Sequence, residues 1–165
     1  MPARAGQIGA MQPHRHTLTL FLPDPDASVA FARRLADLVP PGACLLLSGP
    51  IGAGKSHIAR AFIRHRLGYE GDIPSPTFTL VQTYESPEVE IWHADLYRLS
   101  HPDEVLELGL DQAMGRAICL IEWPDRLGIL APAEAIHLTL ALQGEGRSAE
   151  LSTLDGDLAR QLRNA

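Results

Sequence analysis

The feature that most constrains this chain is a run of eight residues, GPIGAGKS at positions 49–56. It fits the pattern G-x-x-x-x-G-K-[ST], with Gly49, Gly54, Lys55 and Ser56 at the fixed places. Glycines let a backbone curl round an anion without Cβ clashes. Successive N–H groups and the start of a helix then face the phosphate. The flanks suit this geometry. ACLLLSG (43–49) is a short apolar run behind the turn residues PPG, which predicts a buried parallel strand. SHIARAFIRHRLG (56–68) places Ile58, Ala61 and Phe62 at helical spacing and closes on Gly68, a C-cap residue.

Lys55 is the only lysine in the sequence; all other cationic side chains are arginines. Lysine carries a compact charge on a flexible stem, able to reach β- and γ-phosphates, whereas arginine is planar and bulkier. The loop residues Gly49, Pro50, Ile51, Gly52, Ala53, Gly54, Lys55 and Ser56, with His57 behind them, are therefore the expected phosphate-binding set. The Ser56 hydroxyl is the expected ligand of a Mg²⁺ ion.

Such a loop needs acids to hold the metal and orient a nucleophile. Asp95 ends the strand-like VEIWHAD and Glu122 ends the apolar AICLIE. Ligands collect at the C-terminal edge of a parallel sheet. Lys55, Asp95 and Glu122 are thus the candidate catalytic residues, and Ser56, Asp95 and Glu122 the candidate metal ligands. Thr77, on the proline-stiffened SPTF (75–78), is a candidate nucleotide-sensing hydroxyl, with a rigid crossover turn as the equal alternative. Arg98 in HADLYR could pair with a phosphate or a carboxylate. His93 reads rather as an ordinary strand residue, and Trp123 in EWPDR as a structural aromatic first, with packing over the site or service to a partner surface as the alternatives.

The only asparagine is Asn164, so a guanine-reading N-K-x-D motif is excluded, and ATP is the expected nucleotide. A net charge of −6 argues against a broad nucleic-acid surface. No apolar run reaches membrane-spanning length. Cys44 and Cys119 sit in apolar runs, read as reduced core thiols, and with no export signal the expected location is the cytoplasm.

The remaining pattern predicts a leader over 1–16, expected to be disordered, and one domain over 17–165. TLTLFLP reads as a strand and 24–39 as a helix. TFTLVQTY and VEIWHAD read as an antiparallel hairpin, 101–114 as a helix, and 134–142 with 147–154 as a second hairpin before a short final helix. The expected fold is α/β: a P-loop NTPase-like sandwich with a largely parallel central sheet and antiparallel hairpin additions.

GPIGAGKS, SPTFT, HADLYR, DEVLELGL and IEWPDR, in this order over roughly residues 17–150, resemble the TsaE (formerly YjeE) family. The resemblance implies a bacterial ATPase of tRNA threonylcarbamoyladenosine formation. It would be slow alone and act on a complex of the TsaB and TsaD proteins, touching tRNA indirectly and neither membrane nor DNA. It implies that Lys55 and Ser56 hold phosphates and Mg²⁺, that Asp95 is the acid of the H-x-D motif, and that Glu122 serves the metal and water site. Thr77 matches the family's switch-like S-P-T loop. His57 departs from the family, which usually has a second hydroxyl there. Two other readings of the loop are a small-molecule P-loop kinase and a nucleotide-dependent binding module without catalysis.

Overall fold

The computed structural model describes residues 13–164. The elements run β1 (His16–Leu22), α1 (Pro25–Leu38), β2 (Cys44–Ser48), α2 (Lys55–Leu67), β3 (Val81–Glu85), β4 (Glu90–Asp95), α3 (Asp103–Glu107), α4 (Leu110–Ala113), β5 (Ile118–Glu122), a 3₁₀ turn (Pro124–Leu130), β6 (Ile136–Gln143), β7 (Gly146–Thr153) and α5 (Gly156–Arg163). Seven strands form one sheet in the order β1-β7-β6-β2-β5-β4-β3. The central four, β6-β2-β5-β4, are parallel. β3 joins one side antiparallel, and β7 and β1 join the other.

Strand alternation divides the core into two layers. From β2, Leu45 and Leu47 join Ile91, Ile118 and Leu120 of neighbouring strands beneath the apolar faces of α1 and α2. Cys44 and Leu46 turn the other way, to Cys119, Ile121, Val105, Leu110 and Leu127 beneath α3, α4 and the 3₁₀ turn. Phe62, Leu45, Leu47, Ile118 and Leu120 are fully buried. Each such side chain contributes about 1.5–3 kcal/mol through water exclusion.

Helix ends follow local chemistry. Asp24 caps α1 by accepting from Ala27 N at 2.8 Å, and Asp155 caps α5 by accepting from Asp157 N and Leu158 N. α2 differs: it opens on Gly54 with no side-chain cap and closes on Gly68 in the left-handed region (φ 63). Its first N–H groups are left for something else.

Three expectations need correction. The helix expected over 101–114 is two short helices, α3 and α4, because Gly109 adopts φ 76 between them. The strand expected from Thr77 begins only at Val81. Residues before it fold into a turn in which Leu80 N donates to Pro76 O and Leu80 takes φ 65. Of the expected leader, residues 1–12 lie outside the described residues. Arg15, however, donates to the Ser152 hydroxyl and to the carbonyls of Ala133, Ala135 and Ser152, and His16 opens β1. Ordered chain therefore starts before position 17.

Candidate functional site

The loop GPIGAGKS leaves β2 at the C-terminal edge of the sheet and feeds α2. Gly49 cannot be replaced without movement. Its φ is 141, and a Cβ there would stand 2.4 Å from the Leu140 carbonyl oxygen of β6. Gly52 and Gly54 adopt φ 82 and 102, conformations that side-chain-bearing residues rarely take. The loop carbonyls turn inward to Lys55, whose Nζ donates to Gly49 O at 2.6 Å and Pro50 O at 3.0 Å. The same ammonium lies 4.3 Å from the Trp123 ring centroid, a cation–π contact. Burial pulls the Lys55 pKa down, and Glu122 and Asp95 pull it partly back.

The two acids stand side by side. Asp95 and Glu122 end the parallel strands β4 and β5 in direct register. The Ser56 hydroxyl donates to Glu122 Oε1 at 2.7 Å, joining the phosphate loop to β5. Glu122 Oε2 is 2.7 Å from His93 Nε2, and both side chains are buried. Burial alone would raise the Glu122 carboxyl. The hydrogen bonds it accepts from His93 and Ser56, with the positive charge of Lys55, outweigh that and hold it below the usual carboxylate range. Asp95 goes the other way: burial raises it, and the negative charge of Glu122 adds to the rise, against a hydrogen bond from Tyr97 N and the positive charge of Lys55. Neighbouring carboxyls driven in opposite directions are suited to different protonation roles.

The cleft over these groups has a volume of about 390 Å³ and is lined by Ile51, Gly52, Gly54, Lys55, Ser56, His57, Arg60, Thr77, Asp95, Tyr97, Glu122 and Trp123. Thr77 Oγ1 lies 2.8 Å from Ser75 Oγ. A second cavity of about 340 Å³ adjoins the loop on the β6–β7 side, where Asp24, Ser28, Glu145 and Arg147 meet Gly52, Ala53, Gly54 and His57. His57 is the only side chain beyond glycine common to both spaces, with Nε2 3.3 Å from Pro25 O.

Among the described residues no cluster of three or more His, Cys, Asp and Glu is placed to hold a metal. One hydroxyl and two carboxylates suit Mg²⁺ all the same, because that ion keeps waters and phosphate oxygens and takes few protein ligands. Arg98, a candidate phosphate or carboxylate partner, lies instead over the Phe78 ring, 4.8 Å from its centroid.

Two participants were named in the sequence but given bland first readings. Strand alternation puts His93 on the face of Asp95, two residues before it, but does not say that its ring donates. For Trp123 the structure favours the alternative reading, packing over the site, above the purely structural one. Its place over Lys55 follows from a left-handed backbone (φ 58, ψ 53) and a ring contact with Tyr97 at 5.0 Å, neither encoded by a local pattern.

Comparison with known proteins gives a consistent picture. The model of the family described as threonylcarbamoyl adenosine biosynthesis protein TsaE matches residues 22–150. The tRNA threonylcarbamoyladenosine biosynthesis protein TsaE of Rickettsia bellii is 41% identical over 112 residues, covering 68% of this chain and 78% of that protein. Its namesake in Haemophilus influenzae is 31% identical over 141 residues, covering 82% and 89%. The crystal structure of Bacillus subtilis YdiB superposes with a TM-score of 0.73 at 23% identity, over 93% of this chain and 98% of that one, a likeness of fold.

Proposed function

The chain belongs to the TsaE family of threonylcarbamoyl adenosine biosynthesis proteins, and from this premise we propose that it binds ATP with Mg²⁺ and hydrolyses it to ADP and phosphate. In this reading it works in the cytoplasm on a complex of the TsaB and TsaD proteins, and meets tRNA only through that complex. The observation that carries the proposal is the bonding of Ser56 to Glu122 beside Asp95, at the mouth of the phosphate loop.

The roles follow from position. The uncapped N–H groups of α2 and the loop amides would cradle the phosphates. Lys55 would leave the Gly49 and Pro50 carbonyls for the β- and γ-phosphate oxygens and offset charge as the bond to the leaving oxygen breaks. Ser56, Asp95 and Glu122 would hold Mg²⁺, which when bound neutralises charge on the phosphate oxygens. Glu122, kept ionised, is suited to accept a hydrogen bond from the attacking water and align it. Thr77 lines the same cleft and would sense the γ-phosphate. The base and ribose would take the second cavity, between the start of α1 and the β6–β7 turn.

The test is phosphate release by the full chain, with and without purified TsaB and TsaD. We expect slow release alone and faster release with both. Lys55→Ala should lower the stimulated rate at least 100-fold, in line with losing a principal transition-state contact. An unchanged rate in that variant would overturn the proposal, as would transfer of the γ-phosphate to a metabolite instead of water.

A further inference from the structure

His93 is the one fully buried histidine in the described chain, and the roles above do not use it. Its Nε2 meets Glu122 Oε2 at 2.7 Å, while its Nδ1 is buried without any hydrogen-bond partner. The arrangement fixes the tautomer. An ionised carboxylate only accepts, so Nε2 carries the proton. Nδ1 is then a bare lone pair, the less costly atom to leave unmatched, since stranded buried N–H donors are the rarer case. A leucine at 93 would pack in the same layer as Ile91 without any orphaned atom. What it could not supply is the donor to Glu122.

Glu122 is held at both oxygens, by Ser56 on Oε1 and by His93 on Oε2. These two holds are not equivalent. The Ser56 hydroxyl belongs to the phosphate loop and is the group that would turn toward a bound metal. Once it turns, Oε1 is free for a water of the metal's shell, and among the protein's own groups His93 alone still holds the carboxylate. We infer that His93 is a positioning residue: its Nε2–H pins Glu122 Oε2 so that Oε1 faces the reacting water when Ser56 is otherwise engaged. This rests on the ATPase reading for its consequence, and on the His93–Glu122 geometry alone for its structural content.

The experiment compares His93→Gln, His93→Asn and His93→Leu in the full chain. Glutamine can put an N–H where Nε2 stands; asparagine is too short, and leucine has no donor. We expect kcat for ATP with TsaB and TsaD to fall about 10–100-fold in the Asn and Leu variants, the range for losing a supporting contact behind a site. Glutamine should restore most of it. The dissociation constant for ATP without Mg²⁺ should stay within about twofold throughout, because the loop amides and Lys55 are untouched. Wild-type kcat in His93→Leu would overturn the inference. So would a Gln variant as impaired as Leu, since that pattern reports packing alone.

A second measurement stands apart from turnover. Two-bond ¹⁵N–¹H spectra of histidine-labelled protein should show His93 protonated at Nε2 only, with a shift that changes in Glu122→Gln. An Nδ1–H tautomer overturns the inference whatever the kinetics. Absence of any wild-type hydrolysis with the Nε2 tautomer present would overturn the ATPase reading and leave the His93–Glu122 contact established.

Discussion

Asp95 and Glu122 show what the site costs the fold. Asp95 is 8% exposed, and its carboxyl is raised by burial and by its neighbour. A carboxyl whose folded pKa lies above the unfolded one weakens the folded state wherever it is ionised. The penalty is absent below the unfolded value near 3.8 and grows as pH rises through the raised folded value. Asp95→Asn keeps an oxygen for Tyr97 N and removes the charge. It should therefore melt higher than wild type at pH 7–8. The difference should vanish toward pH 4, and in the proposed reading turnover is lost. Equal melting points at pH 8 would contradict the electrostatic account. Glu122 has the opposite sign: held below its usual range, it stabilises above about 4.5, and that contribution is lost as pH falls through its folded value. At this scale the sequence was informative where a residue has one stereochemical job. Gly49, Lys55 and Ser56 stand where the motif puts them. His93 was not readable in the same way, because a histidine inside an apolar strand looks the same whether it packs or donates.

Elements register what single residues cannot. Cys44 on β2 and Cys119 on β5 lie directly across from each other in parallel register. Both are free and buried. Burial drives the Cys44 thiol far above its ordinary value and pushes Cys119 up to about 12. Thiolate is the reactive form. The folded protein should thus resist a thiol alkylating reagent at pH 8, and should take up two equivalents once unfolded in denaturant. Rapid labelling of the native chain would show that the β2–β5 layer opens. Both hairpins were legible from period-two alternation and turn residues, as was α2 from its apolar spacing. The split at Gly109 was not, because helical spacing continues across it and only the left-handed glycine marks the break. The same holds for 77–80, where β-forming residues are overridden by the Leu80–Pro76 turn.

For the whole molecule, the arrangement of the sheet gathers the loop of β2 and the ends of β4 and β5 at one edge, as expected of adjacent parallel strands. That edge follows from the order of strands, which no local pattern states; the cavity between Asp24 and Arg147 joins residues over a hundred positions apart and was invisible for that reason. Ligand binding there should raise global stability by mass action. In the proposed reading, ATP with Mg²⁺ at a hundred times its dissociation constant should add about 2.7 kcal/mol, or roughly 5–10 °C in melting midpoint. GTP should shift the midpoint less, and Lys55→Ala should abolish both shifts. An equal shift with GTP would mean that the second cavity does not select the base.

The antiparallel wing has one more consequence. β1 is an edge strand, α5 packs on β1 and β7, and Arg163 reaches the Thr17 carbonyl at 3.5 Å. The beginning and the end of the described chain thus share one corner of the molecule, on the flank away from β4 and Asp95. A short Gly/Ser bridge across that corner, with new termini opened in the Ser86–Val89 turn between β3 and β4, would give a circular permutant in which the phosphate loop and both acids keep their covalent neighbours.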